Sequence, residues 1–208
     1  MTTARAAGTK GVPRARREQQ ILAAALEEFG RRGYSAASMA EIARSVGVTK
    51  PMLYTYFGSK DGLYAACVDH VGPRLLGAIE RAMASGPPGD RLPHAVLAAL
   101  FDVLENQRHS WFVLYDRSLT PDSDPWHAAR RHREAIDALA THGTAALLRD
   151  RGNGDTLDAD ALKQVWTGAV GALLGWWISH PEMPAHEMSA RCARLLVAIQ
   201  GAPSGRTD

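Results

Sequence analysis

The sequence predicts an all-α protein. Apolar residues recur at spacings of three and four along most of the chain, and no stretch sustains the period-two alternation of a strand. Gly- and Pro-rich clusters divide the remainder into helix-sized pieces. At 208 residues, 46% hydrophobic and 22% charged, the chain has the composition of an ordinary globular protein and the length to bury a core. Wholesale disorder and a fibrous repeat are excluded on that ground.

Residues 1–13 show no apolar face and read as a frayed end. The first helix is expected over about 14–32, with Ile21, Leu22, Ala25, Leu26 and Phe29 on one face and Gly33 as a left-handed stop. Ser38-Met-Ala-Glu41 has the form of a capping box, in which the serine oxygen takes the amide three residues on and the glutamate returns to the serine amide. It opens a short second helix, about 39–46, that ends at Gly47. Pro51 is tolerated only in a first turn, so a third helix starts near Thr49 and closes around Phe57-Gly58. Ser59 then caps a fourth, with Asp61 complementing its N-terminal dipole. Further helices are expected at about 61–71, 74–84, 91–108, 110–118, 126–150, 158–179 and 185–200, separated by Gly72-Pro73 and later breaks.

The net charge of +2 conceals a split: residues 1–60 hold ten Lys/Arg against four Asp/Glu, a balance of +6, and the rest 14 against 18, a balance of −4. One end therefore suits a polyanion, a solvated basic tail being the plainer alternative. Two cysteines, Cys67 and Cys192, cannot build a disulfide scaffold and point to a reduced, cytoplasmic setting. The basic N-terminus lacks the apolar stretch of a secretory signal. The greasiest run, Val165 to Ile178, is broken by glycines and too short for a bilayer, so no membrane partner is expected.

Two short helices joined by a tight glycine turn form a helix-turn-helix. Ile42 and Ala43 would pack the first against the preceding helix, and Leu53 would plug the second into the same core. The other face of the second carries Lys50, Pro51, Met52, Tyr54, Thr55 and Tyr56, poor core material but suited to base edges and phosphates in a major groove. The runs ILAAALEEFGRRGY and SAASMAEIARSVGVTK, followed by Leu53-Tyr-Thr-Tyr-Phe-Gly-Ser-Lys-Asp-Gly-Leu63, closely resemble the DNA-binding domain of the TetR family of transcriptional repressors. The last stretch fits the family pattern Leu-Tyr-x-x-Phe-x-x-Lys-x-x-Leu throughout.

That resemblance implies an N-terminal three-helix helix-turn-helix domain, 1–63, and a C-terminal helical ligand-binding and dimerisation domain, 64–208. It implies DNA contacts from Ser38, Thr49, Lys50, Pro51, Met52, Tyr54, Tyr56 and Lys60, with Lys50 the direct base reader and Lys60 a backbone clamp. Arg14, Arg16 and Arg17 would add contacts from a flexible arm. It further implies a double-stranded DNA operator, an unidentified small-molecule effector and a homodimer formed through the last two long helices. For the latter, Gly168, Gly171 and Gly175 allow close approach, while Leu173, Leu174, Trp177, Leu195, Leu196 and Ile199 supply apolar area. Phe101, Trp111, Phe112, Tyr115, Trp126, Trp166 and Trp176 hold most of the large aromatic surface outside the reader and suit a ligand cavity or a packed core. In the basic run Arg130-Arg131-His132-Arg133, one residue turned inward would meet an anionic ligand; a solvated face is the ordinary alternative.

Neither HExxH nor CxxC occurs, His127 and His132 are wrongly spaced for one helical face, and a phosphate loop has no strand to follow. No enzyme activity, metal or cofactor is expected. The competing reading is a helical small-molecule-binding protein or enzyme without operator binding, which would show no salt-dependent affinity for duplex.

Overall fold

The computed structural model describes residues 13–85 and 89–200, so the expected frayed segment lies almost wholly outside it. Nine α-helices run through the described residues: α1 Arg14–Ala36, α2 Met39–Ser45, α3 Lys50–Phe57, α4 Lys60–Ser85, α5 Leu92–Leu104, α6 Ser110–Leu114, α7 Asp124–Arg149, α8 Thr156–Ile178 and α9 Ala185–Gln200.

The apolar stripe of α1 is buried as its spacing demands, with Ile21, Ala25, Leu26 and Phe29 fully enclosed. Gly33 interrupts the helix with φ 73° and ψ 163°, and one short turn follows before Ala37 closes it. The capping box of α2 forms only in half. Glu41 N–H donates to Ser38 Oγ at 3.4 Å, but the Ser38 amide donates to Glu28 Oε1 of α1 at 3.0 Å. Glu41 is drawn to Arg44 instead, three residues along the same helix. Ser59 behaves as expected, its hydroxyl accepting from Gly62 N–H at 2.9 Å.

The largest departure is α4. Gly72-Pro73 does not end it; one helix runs from Lys60 to Ser85 with Pro73 inside. The lost amide is tolerated because Val71, Gly72 and Leu75 are clamped in the core, with the His132 ring of α7 lying flush on Gly72. The boundary expected at 63/64 therefore falls inside a continuous helix. α6 is also shorter than the 110–118 expected, since Asp116 Oδ1 accepts Ser118 N–H at 2.7 Å and turns the chain.

The four helices α4, α5, α7 and α8 form the second layer, with α9 laid against α5 and α6 against α1. Trp177 sits at 0% exposure between α5 and α8, edge-on to Phe101 with ring centroids 5.2 Å apart. Its Nε1 donates to Met183 O at 2.8 Å. Arg108 caps the same corner, donating to His180 O at 3.0 Å and Met183 O at 2.7 Å with its guanidinium 4.0 Å from the Trp177 ring centroid. Cys67 and Cys192 are free and buried, and burial pushes the Cys67 thiol up, so it stays protonated.

Tyr64 bridges the layers: it is fully buried in α4 and its hydroxyl donates to Val113 O of α6. Tyr64→Phe is expected to cost about 1–3 kcal/mol by orphaning that carbonyl. Chemical denaturation would check it; a midpoint equal to wild type would mean water replaces the phenol there.

Candidate nucleic-acid interface

Backbone bonds at the turn set the angle between α2 and α3, with Val48 N–H reaching Ala43 O at 2.9 Å. Leu53 is the only fully enclosed residue of α3, at 0% exposure, and it anchors the helix on the core. Most of the α3 residues expected to face a groove then turn outward. Thr49, Lys50, Pro51, Tyr54 and Thr55 are exposed, and Met52 and Tyr56 are half-buried. Thr49 precedes the helix with no capping bond from its hydroxyl, while Thr55 Oγ1 is spent on Pro51 O at 3.1 Å. Ser38 is half-buried, and its Oγ is engaged as the cap of α2.

Cations lie over the phenols of this surface. Lys50 Nζ is 5.9 Å from the Tyr54 ring centroid, and the Arg14 guanidinium 5.2 Å from that of Tyr56. The arginines expected in a flexible arm instead occupy the first turn of α1. Arg17 is buried at 8% exposure and donates to Gln20 Oε1 at 3.1 Å, whereas Arg14 and Arg16 are exposed. Helix propagation back to Arg14 overrides the arm, because Pro13 provides a start and α3 a surface to lie on.

Lys60 has a second employment. Its Nζ donates to Ala37 O at 2.8 Å and Ser35 O at 3.4 Å, and sits 4.7 Å from the Tyr34 ring centroid. Burial lowers its pKa, an effect offset by the nearby Asp61, Glu28 and Asp116 carboxylates. Tyr34 in turn donates to Asp61, and burial with that bond pushes its hydroxyl up to about 12. Lys60 thus ties the α1–α2 turn to the start of α4, which holds the reading surface in place.

Residues 21–67 match the family described as bacterial regulatory proteins, tetR family. Over 159 residues the chain is 30% identical to the HTH-type transcriptional activator FasR of Mycolicibacterium smegmatis, covering 76% of this chain and 69% of that one. The chain belongs to the TetR family. Its function follows at that level: it is a helix-turn-helix transcriptional regulator. It is also 35% identical over 98 residues to the transcriptional repressor Rv3405c of Mycobacterium tuberculosis, covering 46% of this chain and half of that one. Among solved structures, a TetR-like regulator from Rhodococcus sp. RHA1 superposes with a TM-score of 0.64 at 28% identity, over 92% of this chain and all of that one.

In this TetR-family regulator the reader is fastened to the second domain by contacts that no sequence motif announces. His109 Nδ1 meets Glu27 Oε2 of α1 at 2.9 Å, and the His109 backbone lies directly against Gly30. Asp116 accepts the Tyr34 amide, and Ser118 accepts from Ser35 twice, its Oγ from the Ser35 amide at 3.1 Å and its carbonyl from the Ser35 hydroxyl at 3.0 Å. These partners lie some eighty residues apart in the chain, and the helix expected through residue 118 gave no sign of them.

The aromatics separate into two groups. Phe101 and Trp111 are buried, Trp111 stacking on Tyr115 with centroids 4.5 Å apart, while Phe112, Tyr115, Trp126 and Trp166 are half-buried around the same interior. Trp176 is 40% exposed on the outer face of α8, stacked on His180 at 3.8 Å and approached by Arg191. It is thereby set apart from the other six aromatics expected to line a pocket or fill a core. On the same helix Leu174 and Trp177 face the chain's own core, not an outer surface as expected, since burial takes the α8 stripe that includes Val170 and leaves the opposite stripe outside. Among the described residues no helix is long and apolar enough to cross a membrane, and no cluster of potential metal ligands occurs.

Proposed function

We propose that this regulator is a homodimeric, effector-released repressor that reads a palindromic operator with two copies of α3. The observation that carries this is the division of α3: Leu53 alone is sealed in, and Lys50, Tyr54 and Thr49 are left to solvent, with the Arg14 guanidinium over Tyr56 on the same helix. One short helix reads only a few base pairs, so useful specificity requires two, on half-sites a helical turn or a multiple of it apart. Lys50 is the base reader; Thr49, Tyr54 and Tyr56 contact the backbone, Ser38 presents the α2 entry to a phosphate, and Pro51 and Met52 shape the entry to the groove. Lys60 sits at the phosphate-facing end of α4 and acts chiefly by fixing the α1–α2 turn. The reading unit is 1–63 and the effector and dimer unit 64–208.

The second copy docks on α8 and α9. Val165, Leu195, Val197 and Ile199 are exposed by 67%, 46%, 63% and 81%, a density of bare apolar side chains that monomers avoid. Space for a Cβ at Gly168 and Gly171 is open, which admits a partner helix at close range. The effector occupies the interior lined by Trp111, Phe112, Tyr115 and Trp166, with Phe101 behind them. An apolar effector is in keeping with one structural neighbour, FadR of Bacillus subtilis solved with stearoyl-CoA, which shares the fold with a TM-score of 0.63 at 16% identity. Binding there is relayed through Arg108 and His109, consecutive residues that grip the end of α8 and the side of α1. A coupling of about 1–3 kcal/mol would lower operator affinity some 5- to 150-fold.

Fluorescence anisotropy with stepped salt tests the reading. Affinity for an operator duplex is expected to fall steeply with salt as condensed counterions are reclaimed. A flat dependence would contradict it. Lys50→Ala is expected to cost about 1–3 kcal/mol on the operator and to blur base preference. Equal losses on operator and random duplex would remove Lys50 as a reader.

A further inference from the structure

The basic run of α7 resolves into four different fates. Arg130 Nε is held by Glu134, and its guanidinium carbon lies 5.0 Å from the Trp126 ring centroid. Arg131 Nη2 meets Asp69 Oδ1 at 3.6 Å, and His132 packs on Gly72 with Nε2 3.5 Å from the same carboxylate. Arg133 alone of the four has no hydrogen bond or ion pair among the described residues, although it is half-buried.

Its position is an interior one. Counting along α7, Arg133 continues the row Ala129, Ile136, Ala140 and Thr144, whose far end meets α8 at Thr144. Thr144 Oγ1 donates to Ala159 O at 3.3 Å and Lys163 Nζ reaches Asp137 Oδ2 at 3.4 Å, so the two helices run antiparallel in known register. One turn back from Asp137, that register sets Arg133 across from Trp166 and Thr167. Its positive charge is felt at the hydroxyls of both Tyr115 and Tyr64.

Every carboxylate near it is already committed. Asp137, four residues on and otherwise the natural helical partner, is turned to Lys163, and Asp116 is spent on the amides of Tyr34 and Ser118. Burial pushes the Tyr115 hydroxyl up to about 12, keeping it a donor, and it too lacks a hydrogen bond among the described residues. A half-buried guanidinium with no partner among the described residues, set across from Trp166 and within electrostatic reach of an idle phenol donor, is an incomplete arrangement. An anion completes it.

We propose that Arg133, assisted by Tyr115, seats the anionic head of the effector, making the effector an apolar molecule that ends in a carboxylate or phosphate. This rests on the effector chamber proposed above and specifies what enters it. The experiment follows tryptophan fluorescence of the full-length protein titrated with dodecanoate, dodecyl phosphate and dodecanol, which share a tail and differ in the head. Wild type is expected to bind at least one of the two anions tenfold or more tightly than the alcohol, and the better anion distinguishes carboxylate from phosphate. Arg133→Gln is expected to abolish that preference while leaving dodecanol affinity unchanged, and Arg133→Lys to keep part of it. Tyr115→Phe should lose a few-fold for the anion only. Equal affinity for all three probes, no binding of any, or a preference that survives Arg133→Gln in a protein with wild-type circular dichroism would overturn the proposal. Operator binding by the same samples without ligand is read separately, so loss of the regulator reading and loss of the Arg133 assignment remain distinct results.

Discussion

Trp177→Ala is expected to remove about 3–5 kcal/mol of folding stability. The indole is completely enclosed, meets Phe101 edge-on, and donates its only polar hydrogen to Met183 O. Truncation therefore leaves a cavity, a Met183 carbonyl that keeps only its Arg108 donor, and an Arg108 guanidinium without the ring that covers it. Neighbouring side chains are held by three helices and cannot close the void. A loss this large is a sizeable part of the stability of an ordinary domain. Thermal or urea unfolding monitored by circular dichroism reads it directly, and a destabilisation below about 1 kcal/mol would show that the α5–α8 corner is not packed as described.

Gly30→Val is expected to cost about 3 kcal/mol, at the upper end for an overpacked site, and to damage regulation as well as stability. A Cβ at Gly30 would lie 2.7 Å from both the carbonyl carbon and the Cβ of His109. The obstacle is backbone, so no rotamer change relieves it. Either α6 lifts from α1 or the protein unfolds. If α6 lifts, the Glu27–His109 contact is lost together with the relay proposed to run from the end of α8. The resulting protein should still bind duplex, yet respond weakly to any effector. Comparing unfolding midpoints with operator affinity separates the two effects. A Gly30→Val protein with wild-type stability would mean that α1 and α6 are not in contact in solution.

The reader was legible in the sequence because its signals are local. The buried face of α1, the turn after α2, Pro51 in the first turn of α3 and the Ser59 cap each depend on residues within a few positions. What failed was decided by distant partners. Gly72-Pro73 has the form of a helix end, and only the His132 ring and the buried flanks explain why α4 continues. Glu41 completes a capping box on paper, but Glu28 from another helix reaches the amide first. Lys60 reads as a free cation until the carbonyls of Ser35 and Ala37 are brought beneath it. Leu174 and Trp177 share an apolar composition with Val165 and Ile199, so which of them faces inward was settled by packing. The same held for the basic run of α7, where the pattern of partners, not the sequence, singles out Arg133.

The most direct test of the central claim is selection of duplexes from a fully randomised pool by the full-length protein, followed by sequencing of the retained DNA. The account predicts enrichment of one motif made of two inverted half-sites, centred a helical turn or a multiple of it apart. A retained pool indistinguishable from the starting one would contradict it.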